Sequence, residues 1–187
     1  MRFARIEKDG RVGLATLREK KLLTIYADEK SFPGSLETIV AGGAAHLKDV
    51  DALLSRGAAL AEDSVTFLPP FTSGKIICVG LNYVDHSKES GYELPEYPTI
   101  FGRFASSLVG HKQPIVRPTV STMLDYEGEM VAVIGKGGAR FRKRARSITF
   151  AATRSSTTDR FAIIKGRRRN GRSGKISTKP ADLGRIS

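Results

Sequence analysis

The charge of this chain is divided too sharply for one evenly built domain. Residues 1–136 hold 16 Lys and Arg against 17 Asp and Glu, whereas residues 137–187 hold 15 Lys and Arg against Asp159 and Asp182 alone. The whole net charge of +12 therefore arises in the last quarter, and composition turns over near Gly135-Lys136-Gly137-Gly138. Stretches of such different chemistry do not share one core. A basic chain ordinarily suggests an acidic partner such as nucleic acid. Here the excess lies in an Arg-, Ser-, Thr- and Gly-rich tail without sustained periodicity, so residues 140–187 read as disordered. That tail has only Phe141, Phe150 and Phe161 as aromatics, a poor stacking platform for single strands.

Up to residue 136 the pattern is that of folded α+β protein, mostly β. Arg2–Ile6, the Asp9-Gly10 turn and Val12–Ala15 predict a hairpin, with Leu22–Tyr26 as a third strand. Ser35 before Glu37, Ile39 and Val40 predicts a short helix stopped at Gly42-Gly43. Leu47, Val50, Leu53 and Leu54 recur at helical spacing, with Asp49 and Asp51 taken as acids near the helix start. Pro69-Pro70 breaks the chain, so residues 1–70 form a small lead-in module. Residues 71–136 start a second domain, in which Lys75–Gly80 and Val131–Gly135 are apolar runs typical of buried strands. Residues 137–187 are the basic tail.

The single cysteine, Cys78, excludes an intrachain disulfide and a multi-thiol zinc site. No apolar run approaches the roughly 18 residues of a membrane helix, and the start Met1–Arg5 lacks the apolar region of a secretory signal. A cytoplasmic protein without membrane contact is expected.

Two constellations carry chemistry. In an extended segment residues i and i+2 share a face, so Glu127 and Glu129, separated by Gly128, can converge on one point. Converging carboxylates repel and raise each other's pKa unless a cation neutralises them. Hard oxygen ligands suit Mg²⁺, with Mn²⁺ or Ca²⁺ as alternatives, better than zinc. A solvated strand face is the simpler reading of such a pair taken alone. His86 and Glu89, three residues apart, meet if a helical turn follows the preceding strand. The carboxylate would then orient the imidazole as a general base. Taken alone, a surface ion pair is again the simpler reading. His46 and His111 have no such company.

The order and wording of these patches match a family. Gly80-Leu81-Asn82-Tyr83-Val84-Asp85-His86-Ser87-Lys88-Glu89 resembles the GLNYxDHxxE signature of fumarylacetoacetate hydrolase family proteins. Pro98–Phe101 with Ala105–Gly110, and Leu124–Met130 running into Val133–Lys136, resemble the segments that follow it, with Arg103-Phe104 standing where the family often has Lys-Pro. The first 70 residues are similar to the small N-terminal module of the family's bacterial branch. The resemblance covers residues 1–136. It implies a mixed β-sandwich roll, with Glu127 and Glu129 as metal ligands, usually of Mg²⁺, and His86 with Glu89 as the dyad that activates water or moves a proton. It further implies small 2-oxo or 1,3-dicarbonyl acids as substrates, for C–C hydrolysis, decarboxylation or dienoate isomerisation, and a homodimer.

The family's third ligand is an Asp in a downstream Asn-Asp-x-Ser-x-Arg-Asp motif, which this sequence lacks. If Ser156–Lys165 is encoded TCA ACG ACG GAT CGA TTC GCG ATT ATC AA, reading from a preceding T gives Phe-Asn-Asp-Gly-Ser-Ile-Arg-Asp-Tyr-Gln. That is the missing motif, and the same offset recodes Ile148–Ser155 and Asn170–Gly184 into family-like sequence. The expectation is a frameshift between about Ile134 and Ile148, with a truncated catalytic fold and activity absent or very low. Codons that give no such motif in the neighbouring frame would sink it. The competing class is a non-catalytic remnant whose Arg167-Arg168-Arg169 tail binds nucleic acid non-specifically, a weaker reading.

Overall fold

A computed structural model describes residues 1–84, 95–119, 125–138, 150–163 and 183–185. The chain divides into two compact units, Met1–Pro70 with Val109–Ser187, and Phe71–Leu108.

The first unit is organised by a hairpin meander. Strands β1 (Phe3–Lys8), β2 (Arg11–Arg18) and β3 (Lys21–Tyr26) pair antiparallel in succession. Asp9 and Gly10 both take left-handed φ, 52° and 75°, as the two-residue turn that matches strand twist requires. The β2–β3 turn uses the same conformation at Glu19 and Lys20, φ 47° and 63°, where no glycine relieves the strain. After β3 come α1 (Leu36–Ala41) and α2 (Gly43–Leu54), then β4 (Ala58–Ala61) and β5 (Thr66–Leu68). The sheet order is β4-β3-β2-β1-β5.

Both faces of this sheet are covered. Paired residues share a face, so Ile6, Ala15, Leu22, Tyr26 and Phe67 gather on one side as a buried cluster. On the other side α2 crosses β2 and β3 with Leu47, Val50, Asp51 and Leu54, at i, i+3, i+4 and i+7, turned inward. Ser35 caps α1, its Oγ accepting from the Thr38 amide at 3.3 Å. Burial of each large apolar side chain here contributes about 1.5–3 kcal/mol.

Asp49 and Asp51 do not sit near a helix start, as the sequence suggested, because α2 begins at Gly43. Asp51 lies near the C-terminal end, where the helix dipole disfavours a carboxylate. Its buried side chain is instead held by the Thr16 hydroxyl, which donates to Oδ1 at 2.6 Å, and by Arg18. At the sheet end, Arg11 donates Nε and Nη2 to Asp28 at 2.9 and 2.7 Å and lies 3.9 Å over the Tyr26 ring. The Asp28 carboxyl is held below its ordinary pKa by that hydrogen bond.

Beyond Pro70 the architecture opens. Strands β6 (Ile76–Gly80) and β7 (Thr99–Arg103) form an antiparallel pair of their own. Strand β8 (Val116–Pro118) pairs with β11 (Leu183–Arg185), and β9 (Asp125–Ile134) with β10 (Phe150–Ile163). The expectation of disorder across 140–187 does not hold for β10 and β11. The β9 edge offers backbone groups for pairing, and Phe150, Thr153, Phe161 and Ile163 are residue types that favour strands. Nor are the β6 and β9 apolar runs buried, since among the described residues beyond Pro70 only Gly110 is.

Candidate functional site

Strand β6 delivers the chain into the first predicted constellation through Leu81, whose φ is +55°. A leucine in the left-handed region costs about 1–2 kcal/mol, and such outliers cluster where a chain must be re-aimed at a site. Asn82, Tyr83 and Val84 follow, all exposed. His86 and Glu89, the predicted proton-moving dyad, lie outside the described residues.

The predicted metal ligands are placed on β9. Glu127 and Glu129 occupy positions two apart, registered against Phe161 and Ser156 of β10. The pairing is irregular between Ser156 and Phe161, so β10 carries extra residues opposite Gly128. Glu129 is half-buried. Two carboxylates on one strand are a hard-oxygen donor pair and fit a divalent cation of the Mg²⁺ type. No group of three or more His, Cys, Asp or Glu that could hold a metal comes together among the described residues.

His111, given no role by the sequence, has an unanticipated position. Its ring meets Phe67 edge-on at 5.1 Å, and its Nδ1 is buried with no hydrogen-bond partner among the described residues. Gly110 lies against the β5 backbone so closely that an added Cβ would stand 1.8 Å from the Phe67 carbonyl oxygen. Lys112 reaches Glu62 at 3.7 Å. The segment 110–112 thus clasps β5, a long-range contact that no local pattern announces. A shallow concavity edged by Met1, Arg2, Leu17 and Arg18 contains none of the predicted site residues.

Known proteins align with these strands. Residues 75–154 match the family model described as fumarylacetoacetate (FAA) hydrolase C-terminal, from β6 into the first part of β10. A mitochondrial oxaloacetate tautomerase of Homo sapiens is 37% identical over 133 residues, 70% of this chain and 42% of that protein. An uncharacterised protein of Methanocaldococcus jannaschii is 49% identical over 69 residues, covering 37% of this chain and 29% of its own length. Among solved structures, the fumarylacetoacetate hydrolase of Exiguobacterium antarcticum superposes with a TM-score of 0.61 at 27% identity, over 81% of this chain and 53% of that one. A 5-carboxymethyl-2-hydroxymuconate delta-isomerase from Mycobacterium smegmatis shares the fold, with a TM-score of 0.53 at 21% identity, over 82% of this chain and 52% of that one. The chain spans about two-fifths of the Homo sapiens relative and about half of each of these two solved structures. Its mostly-β fold agrees with theirs, no described helix is long and apolar enough to cross a membrane, and the matched stretch, residues 75–154, is of the fumarylacetoacetate hydrolase family.

Proposed function

We propose that this chain carries the metal-binding strand and the acid–base segment of a divalent-metal-dependent cytoplasmic enzyme acting on small 2-oxo or 1,3-dicarbonyl acids. One observation carries the reading: Glu127 and Glu129 stand two apart on β9, inside the stretch that matches the family. A divalent ion, Mg²⁺ by ligand hardness, supplies Lewis-acid stabilisation of negative charge developing on a carbonyl oxygen when bound there. The chain's own residues do the rest. Glu127 and Glu129 provide the charge that retains the cation, and His86, oriented by Glu89, holds or moves the proton beside the carbonyl. Tautomerase, isomerase and hydrolase names among the relatives share that demand for a proton shift next to a carbonyl.

Without the downstream Asp-bearing motif, which this sequence lacks, the two carboxylates retain the ion weakly and turnover is absent or very low. Calorimetric titration of the full chain with Mn²⁺ or Mg²⁺ tests this. Binding should be weak and should disappear in Glu127→Ala/Glu129→Ala. Binding unchanged in that double variant overturns the reading. Oxaloacetate tautomerisation and acylpyruvate cleavage, assayed with Mg²⁺ and with His86→Gln as control, give the activity.

A further inference from the structure

The five-stranded sheet of the lead-in module treats its two ends differently. At one end β5 is clasped by Gly110–Lys112, with Gly110 set against the Phe67 carbonyl and Lys112 reaching Glu62. At the other end β4 pairs with β3 alone among the described residues, and its Ala58, Ala59 and Ala61 are exposed. Edge strands are ordinarily guarded by a charge, a proline or a bulge, because their outward backbone groups accept another strand. Within Ala58-Ala59-Leu60-Ala61 there is no charge and no proline, and the register against β3 runs without a shift. The charges lie immediately outside the strand, with opposite sign at its two ends. Arg56 precedes it, and Glu62 and Asp63 follow it. Arg56 and Asp63 are exposed, and neither side chain makes an ion pair among the described residues.

We infer that β4 pairs antiparallel with β4 of a second copy of this chain, joining the two lead-in sheets edge to edge. A strand with a cation before it and acids after it is complementary to its own antiparallel copy. A two-fold axis normal to the sheet keeps every side chain on its own face, so residues brought opposite each other must share parity along the strand. That requirement admits a centre on Ala59 or on Leu60. With Ala59 at the centre, Arg56 of one copy comes opposite Glu62 of the other. With Leu60 at the centre, Gly57 comes opposite Asp63, and Arg56 lies one place further along. In both registers each guanidinium ends beside the acidic turn of the second copy, twice by symmetry. A foreign strand satisfies the backbone groups but does not bring this matching order of charges. The contact between two four-residue strands falls well short of the roughly 800 Å² per partner of a stable interface, so the pair is weak and reversible, with a Kd of about 0.1–1 mM.

Disulfide trapping of the full chain in a Cys78→Ser background tests the pairing and its register. Residues directly opposite on antiparallel strands have Cα atoms about 4.5–5.5 Å apart, within reach of a disulfide. Ala59→Cys should therefore give a linked dimer on mild oxidation if the axis passes Ala59. Ala59→Cys/Ala61→Cys should give it if the axis passes Leu60. Asp49→Cys, on the exposed side of α2, should stay monomeric under the same conditions. Adding Arg56→Glu sets like charges together and should cut the dimer yield at least about tenfold, and adding Asp63→Arg to that variant should restore it. Both charge changes fall on exposed positions, so the fold is retained. No linked dimer in either cysteine variant overturns the inference and leaves the β4 edge to a different chain. Equal trapping through Asp49→Cys, which reports random collision, also overturns it, as does a yield indifferent to Arg56→Glu.

Discussion

Residues 1–70 and the β6–β7 pair are made of the same material, antiparallel strands rich in Ile, Leu and Val, and they end in opposite states. The first closes: Ile6, Ile39 and Leu54 are fully buried, and helices cover one face of the sheet. The second keeps its aliphatic side chains in water. The difference lies in supply. The lead-in module carries its own covering helices within the sequence, with an Asp at the only inward polar position of α2 and a Thr and an Arg waiting on β2 to receive it. Among the described residues of 71–108, the short 3-10 turn Ala105–Ser107 leaves none of them buried. Apolar content therefore says that a strand wants cover, and only topology says whether cover arrives.

The contrast can be broken most directly by truncation. Leu54→Ala should cost about 2–5 kcal/mol in urea unfolding, whereas Ile77→Ala should cost less than about 0.5 kcal/mol. Equal losses would mean that β6 is buried in solution and the two regions are alike. Asp51→Ala strands the Thr16 hydroxyl and the Arg18 guanidinium, and should destabilise the module by about 1–3 kcal/mol. Asp51→Asn should recover part of that loss by restoring the bond from Thr16. Gly110→Ala sharpens the boundary between the regions. Its methyl collides with the β5 backbone, so hydrogen exchange at Thr66–Leu68 should accelerate, by about 10-fold for each 1.4 kcal/mol lost locally. Unchanged exchange would place the edge of the closed region at Pro70.

Two smaller effects test its surface. Glu19→Asn with Lys20→Gly relieves the left-handed turn and should raise stability by about 0.5–1 kcal/mol. The smallest concerns Asp28. Its lowered pKa means that its ion pair with Arg11 is present at neutral pH and is lost as pH falls through the folded-state value. Arg11→Gln should return the Asp28 titration, followed by carboxyl NMR, upward toward the ordinary range and flatten that part of the acid limb.

Much of the module was legible because its signals are local. Asp9-Gly10 marks a turn, Ser35 a helix start, and Leu47, Val50 and Leu54 an inward stripe. The Glu19-Lys20 turn was not, since neither residue advertises a positive φ. The start of α2 was misplaced because two acids outweighed a glycine that follows α1 directly. The tail strands were missed for a physical reason: β10 and β11 exist through pairing with β9 and β8, and composition has no access to a distant edge. For the site, the i, i+2 spacing correctly placed Glu127 and Glu129 on one strand. The clasp at Gly110-His111 left no local signal.

The sheet order also sets a sequence of events. Pairs β1–β2 and β2–β3 close over two-residue turns, within microseconds for hairpins of this kind, whereas β1–β5 must wait for a strand some sixty residues away. During synthesis at about 5–20 residues per second, Phe67 therefore reaches its cluster seconds after the hairpins have formed. Until then Ile6 presents an unpaired edge, and the nascent chain spends that interval as an open three-stranded template.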